Sequence, residues 1–171
     1  MVLANVIHTD RLSLRPIASG EADAVVAILR APEVTRTYMV PDLDDTQVRK
    51  LALRLAALSC DNTHFVRGIY TEERLIGWLN DTEIIGTTIE LGWAIHPSCH
   101  NKGFATEAVT AAIRHLLDAG YQEITAGAFE ENKASIRVME KAGMERIAKT
   151  DTLEYRGQLH RCIYYRAARW N

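Results

Sequence analysis

Apolar and polar positions along the chain follow two different periods. Leu12 and Leu14 alternate with Arg11, Ser13 and Arg15, the two-residue spacing of a strand over Arg11–Arg15. Ser19 is placed to cap a helix with Ala22, Val25, Val26 and Leu29 on one face, ending before Pro32. Val34–Asp45 reads as a loop. Thr46 then caps a second helix, with Val48, Leu51, Ala52 and Leu55 as its stripe. Three short strands are expected at His64–Tyr70, Leu75–Asn80 and Thr88–Ile95. The polar stretches Thr71–Arg74 and Asp81–Glu83 connect them as antiparallel hairpins. Phe104–Ala119 is the strongest helix, with Ala105, Ala108, Val109, Ala112, Ile113 and Leu116 at helical spacing and Gly120 as its stop. A strand at Glu123–Phe129 follows. Asn132 caps a helix carrying Ile136, Val138 and Met139, which Gly143 ends. Strands at Arg146–Leu153 and Leu159–Arg166 flank a turn at Tyr155–Gln158.

This order of seven strands and four helices predicts an α+β fold. A meander at the front and a strand–helix–strand crossover in the middle give a mixed, mostly antiparallel seven-stranded sheet with helices on both faces. The chain has 171 residues, with no repeat, low-complexity tract or linker, and is read as one domain over 1–171. Hydrophobic residues at 47% and charged residues at 25% exclude a disordered chain. A net charge of -2 argues against a basic nucleic-acid binder. Arg156, Arg161, Arg166, Arg169 and His160 bias the C-terminus towards positive charge, but their alternation reads as one solvated strand face. No apolar run reaches the roughly 18 residues of a membrane span, and Met1–Asp10 has neither the cationic start nor the apolar core of a secretory signal. Cys60, Cys99 and Cys162 are too few for a disulfide framework, so a cytoplasmic setting is expected.

Candidate chemistry concentrates in residues 90–108, Glu-Leu-Gly-Trp-Ala-Ile-His-Pro-Ser-Cys-His-Asn-Lys-Gly-Phe-Ala-Thr-Glu-Ala. A strand runs into a short loop that opens the longest helix. That places unpaired backbone N–H groups of roughly residues 101–106 at a helix N-terminus, an anion site by geometry. Gly103 permits close approach, Ala105 keeps the turn uncrowded and Lys102 adds positive charge. An ordinary helix start is the competing reading. His96, Cys99 and His100 are metal-ligand types, but no second cluster completes a four-ligand zinc site, so no metal is expected. Cys99 as an acyl-transfer nucleophile has no assured base beside it.

The same segment, with Lys-Gly-Phe-Ala-Thr-Glu-Ala over 102–108 after the strand Glu-Leu-Gly-Trp-Ala-Ile-His-Pro, resembles the coenzyme A loop of the GNAT N-acetyltransferases. Asn132-Lys-Ala-Ser135 and Met139-Glu-Lys-Ala-Gly143-Met resemble the following helix, in the form found in the branch that acetylates ribosomal-protein N-termini. The opening Thr9-Asp-Arg-Leu-Ser-Leu-Arg-Pro16 and the closing Tyr155-Arg-Gly-Gln-Leu-His160 are also similar to that branch. The resemblance implies a GNAT-like sheet and acetyl-CoA as co-substrate. It implies coenzyme contacts from Trp93, Ala94 and Ile95 on the strand, from His100, Asn101, Lys102, Gly103, Phe104, Ala105 and Thr106 in the loop and helix start, and from Asn132. His100 stands where the family usually has Gln, Arg or an aromatic, and Asn101 where Gly is frequent. Many members carry a tyrosine acid where this chain has Met139; in this branch Ser135 is the residue expected to protonate the departing thiolate.

Acetyl transfer from a thioester requires a neutral amine, and α-amines, with pKa about 7.7–8.0, lose their proton far more readily than lysine at about 10.4. Glu90, on the strand leading to the coenzyme, is the candidate base, acting directly or through a water, with a surface salt-bridge role as the competing reading. His64 and Tyr70 are weaker candidates. A backbone N–H from the Trp93–Ile95 strand end could serve the developing oxyanion. Arg36 and Tyr38, in the loop between the first two helices, are the expected acceptor-binding residues. The acceptor is a primary amine, a protein N-terminus or a small molecule, and strand edges leave a homodimer open. The alternative from another class is a module that binds acyl-CoA without turnover.

Overall fold

The computed structural model describes residues 6–169, so the reading of Met1–Asp10 falls partly outside the described residues. The sheet has eight strands rather than seven: β1 (Ile7–His8), β2 (Ser13–Arg15), β3 (Val66–Thr71), β4 (Arg74–Ile85), β5 (Thr88–Ile95), β6 (Glu123–Phe129), β7 (Glu145–Tyr155) and β8 (Gln158–Ala168). The extra strand is β1, two residues paired with β2, too short to carry a period of its own. Strand order is β1-β2-β3-β4-β5-β6-β8-β7. Every neighbouring pair is antiparallel except β5–β6.

Helices α1 (Ala22–Arg30) and α3 (Asp45–Ser59) cover one face, and α4 (Phe104–Asp118) and α5 (Lys133–Lys141) the other. Period-two alternation sorts the sheet residues accordingly. Tyr70, Leu75, Trp78 and Ala94 pack towards α1 and α3, while Ile69, Ile76, Leu79 and Ile95 pack towards α4. Along α4 the inward face is Ala108, Val109, Ala112, Ile113 and Leu116, and the alanines let the helix lie close on the sheet. A third cluster, Phe129, Tyr155, Cys162 and Tyr164, forms at the far end of β6, β7 and β8.

Several local expectations are corrected. Ser19 opens a 3-10 turn ahead of α1, closed by Glu21 reaching back to the Ala18 N–H. Asp44, not Thr46, caps α3: its carboxylate accepts from the Gln47 N–H, and Gln47 accepts from the Asp44 N–H. The expected 34–45 loop begins inside a short helix, α2 (Pro32–Thr35), started by the proline. Asp81–Glu83 is not a turn. Asp81 accepts from the Phe65 N–H at 2.8 Å and faces His64 Nδ1 at 3.0 Å, so β4 continues. Pairing shifts from Asp81↔Leu91 to Glu83↔Glu90, which makes Thr82 the extra residue of a bulge; the turn falls beyond Ile85.

Candidate active site

The parallel pair β5–β6 is joined only at Thr88↔Glu123, Ile89↔Ile124 and Glu90↔Thr125. From Leu91 onward the two strands diverge, and among the described residues their facing edges have no strand partner. The sheet therefore opens in a V, with α4 starting at one side of the mouth and α5 at the other. Two cavities meet there. The first, about 540 Å³, runs along the β5 end and the N-terminal turns of α4 and α5. The second, about 350 Å³, lies between β5, β6, β8 and the residues after α2. Thr37, Tyr38, Trp93, Asn132 and Ser135 line both.

At the first cavity, Gly103 is the residue before α4, with φ of +78°, in the left-handed region where a side chain is strained. It has no side chain to cap the helix, and among the described residues nothing accepts from the N–H groups of Phe104, Ala105 and Thr106. Those donors face the cleft, the arrangement that favours a phosphate. Asn101, at φ of +59°, is the other left-handed residue of the loop. The His100 Nε2–H donates to the Ile95 carbonyl at 2.8 Å, which ties the loop to the last residue of β5.

Sequence reasoning gave no role to Arg11. Its guanidinium donates to the Lys102 carbonyl at 2.9 Å, bonds Glu107 at 2.7 Å and lies 4.6 Å from the Phe104 ring centre. Glu107 also accepts from Thr9 Oγ1 at 2.6 Å and from the Arg11 N–H at 2.9 Å. Burial opposes its charge, but these donors together hold its carboxyl below the usual carboxylate value. Glu107 in the first turn of α4 is favoured by the helix dipole in its own right, so nothing in the sequence marked Arg11 as its partner. Lys102 itself is exposed and outside the lining. Arg137 and Lys141, one turn apart on α5, do line the cleft, and among the described residues neither makes an ion pair.

Asn132 and Ser135 are bonded to one another. The Asn132 carbonyl oxygen accepts from the Ser135 N–H at 3.2 Å, capping α5, and its Nδ2 donates to Ser135 Oγ at 3.0 Å. Ser135 Oγ thus receives a hydrogen bond and keeps its own proton to give. Met139 is wholly buried under α5 and away from the cleft.

The second cavity takes Glu90 from β5. Thr82, the bulge residue, donates to Glu90 Oε1 at 2.9 Å, and Lys149 Nζ is 3.8 Å from Oε2. Tyr38 contributes its ring. Its hydroxyl donates to Asn80 Oδ1 at 3.0 Å and accepts from Trp78 Nε1 at 3.1 Å, and burial pushes the phenol pKa up. Arg36 lines the first cavity and not the second. His64 faces Asp81, and Tyr70 bonds Glu21; neither lines either cavity. Cys162 does, and burial first, then Asp151, Glu131 and Glu90, raise its thiol pKa and keep it protonated. Cys99 is buried in the wall of the first cavity. No group of three or more metal-ligand side chains occurs among the described residues.

A mixed sheet split at a parallel pair, with a bare helix N-terminus at the mouth, defines the GNAT class of acetyltransferases. Residues 11–145 match the acetyltransferase (GNAT) domain family, and the chain belongs to it. Over 157 residues it is 31% identical to the uncharacterized N-acetyltransferase YoaA of Bacillus subtilis (strain 168), covering 82% of this chain and 83% of YoaA. Its fold is similar to Mycobacterium smegmatis RimJ in complex with CoA-disulfide, with TM-score 0.84, 17% identity, and 97% and 88% of the two chains covered. It is similar also to RimL, the ribosomal L7/L12 alpha-N-protein acetyltransferase, in complex with coenzyme A. There the TM-score is 0.83 with 17% identity, covering 96% and 98% of the two chains. No helix among the described residues is long and apolar enough to cross a membrane.

Proposed function

We propose that this acetyltransferase uses acetyl-CoA to acetylate a primary amine, by direct attack with both substrates bound, and that the amine is a protein or peptide N-terminus. The observation that carries the reading is the junction of the two cavities: one presents open main-chain N–H groups that suit a phosphate, the other holds a carboxylate, and Ser135 stands in the wall they share. RimL, named for acetylating a ribosomal protein's N-terminus, and RimJ share the fold, which supports the same class of acceptor.

The residues present fit the coenzyme. Open N–H groups of Phe104, Ala105 and Thr106 suit a pyrophosphate, Lys102, Arg137 and Lys141 supply positive charge nearby, and the β5 edge at Trp93–Ile95, which β6 does not pair and where His100 takes only the Ile95 carbonyl, suits an amide-bearing arm. Bound acetyl-CoA would supply an activated acetyl thioester. Glu90 then takes a proton from the incoming ammonium, directly or through a water, while Thr82 and Lys149 hold its carboxylate in place. A main-chain N–H at the β5 end stabilises the oxygen that gains charge. Ser135, its oxygen bonded by Asn132 Nδ2, gives its proton to the leaving sulfur and regains one from the nitrogen, which sheds its second proton as the amide forms.

Purified protein should release free thiol from acetyl-CoA only when an amine is added, and peptides with free N-termini should outperform their N-acetylated forms completely. Ser135→Ala should lower turnover far more than coenzyme affinity. Tight coenzyme binding with no thiol release across peptides and small amines would replace this reading with a binding module.

A further inference from the structure

The segment after α2 supplies one wall of both cavities, yet no strand pairs with it. Its fixing points are two phenols. One is its own Tyr38, bonded to Trp78 and Asn80 of β4. The other comes from the opposite end of the chain: Tyr155, the last residue of β7, 8% exposed and touching neither cavity. A phenol has one proton to give and two lone pairs. Tyr155 uses all three. It donates to the Thr35 carbonyl at 2.5 Å and accepts from the Val40 N–H at 3.3 Å and from Arg156 Nε at 3.1 Å. The Tyr38 and Val40 carbonyls lie at 3.4 and 3.3 Å, so the oxygen sits inside a ring of main-chain groups from residues 35–40. Arg156 extends the link to Asp42, 3.8 Å away.

We infer that Tyr155 is a positioning residue for the acceptor: through its hydroxyl the β7–β8 hairpin sets the conformation of residues 35–40 and so the shape of the acceptor cavity. This rests on the proposed reaction for its kinetic consequence, though not for its structural one. Each bond that Tyr155 makes with the segment goes to main chain, so it fixes the path of the backbone whatever side chains Thr37, Tyr38 and Met39 present. The coenzyme loop is held by other groups, Arg11, Glu107 and His100, none of which touches Tyr155. The segment borders both cavities, but the main-chain donors at the α4 start lie outside it, so loss of the hydroxyl should act far more on the acceptor than on the coenzyme.

The variant is Tyr155→Phe, which keeps the ring packed on Phe129 and removes only the oxygen. Amide exchange should accelerate at least tenfold at Val40 and its neighbours and stay unchanged in β3–β5. Calorimetric affinity for acetyl-CoA should stay within twofold of wild type. With the best amine from the panel, acceptor KM should rise about tenfold while kcat stays within twofold. Unchanged exchange at 35–40, a uniform acceleration over the whole sheet, or equal losses in acceptor and coenzyme affinity would each overturn the inference. Arg156→Gln, at a half-exposed position, should shift the same measurements in the same direction by about threefold. It decides the matter if the first variant does not fold. If no amine is acetylated, the proposed reaction fails, while the exchange measurement still tests the role of Tyr155.

Discussion

The two sides of the cleft are built in different ways. The proposed coenzyme side is mostly one continuous stretch, Trp93–Glu107, in which a strand end, a loop and a helix start follow in order, with Arg11 closing it from outside. The proposed acceptor side is assembled from β4, β5, β6, β7, β8 and the segment after α2, and Tyr155 behind it joins residues 115 to 120 positions apart. A main-chain donor set needs only local backbone geometry, so it can be carried by a short motif. A cavity that must match an acceptor draws its wall from many elements, and each can change without disturbing the donors.

Substitutions that damage one side and spare the other break or sharpen this contrast. Gly127→Val should have the largest effect. A Cβ at Gly127 would come within 2.6 Å of the Tyr164 ring, and such overpacking costs about 1–3 kcal/mol. Turnover should fall more than tenfold with coenzyme affinity kept within twofold, measured by thiol release and calorimetry. Gly103→Val should do the reverse. A branched side chain at φ of +78° costs about 1–2 kcal/mol, so coenzyme affinity should fall about five- to thirtyfold. Acceptor KM, measured at saturating coenzyme, should hold.

Glu107→Gln should act on the same side by less, about 1 kcal/mol, since it weakens the clasp on the loop without altering the donors. The carboxyl is held below its ordinary 4.5, so the clasp contributes fully above that pH. It is lost as pH falls through the lower folded value, which a coenzyme titration followed against pH would show. The smallest effect belongs to neither side. His115 Nε2 is buried with no partner among the described residues, and burial, then the nearby Arg67, push its pKa below 6.5. The unfolded chain binds that proton more readily than the folded one. Stability should be full above pH 6.5 and decline as pH falls towards the folded value. His115→Phe should flatten that part of a pH-stability curve; an unaltered slope would contradict the assignment.

The same contrast explains what could be read from residues alone. Strands β5 and β6 were legible to their ends, because apolar runs and Gly/Pro punctuation bound them. The α4 start at Phe104 was equally clear from the glycine before it. Asp81–Glu83 was misread because three polar residues look like a turn. Their strand is held by a side chain, Asp81 to the Phe65 N–H, that no period reveals. Thr46 has the side chain of an α3 cap, but the Asp44–Gln47 pair fills that place. Ser135 and Glu90 could be named from spacing and resemblance, and the structure places them on the same cleft. Arg36 was expected at the acceptor and lies along the other cavity. Tyr155 stands in the closing stretch that carries the resemblance, but nothing in the sequence marks its role, since its partners on residues 35–40 are main-chain atoms, which leave no trace in side-chain pattern.

Coenzyme binding as proposed depends on the open N–H groups at the α4 start. Injecting acetyl-CoA into the protein in a calorimeter tests them most directly. One equivalent should bind with released heat, and Gly103→Val should weaken that binding at least fivefold. Heat that is absent, or that the Gly103 variant leaves unchanged, would contradict it.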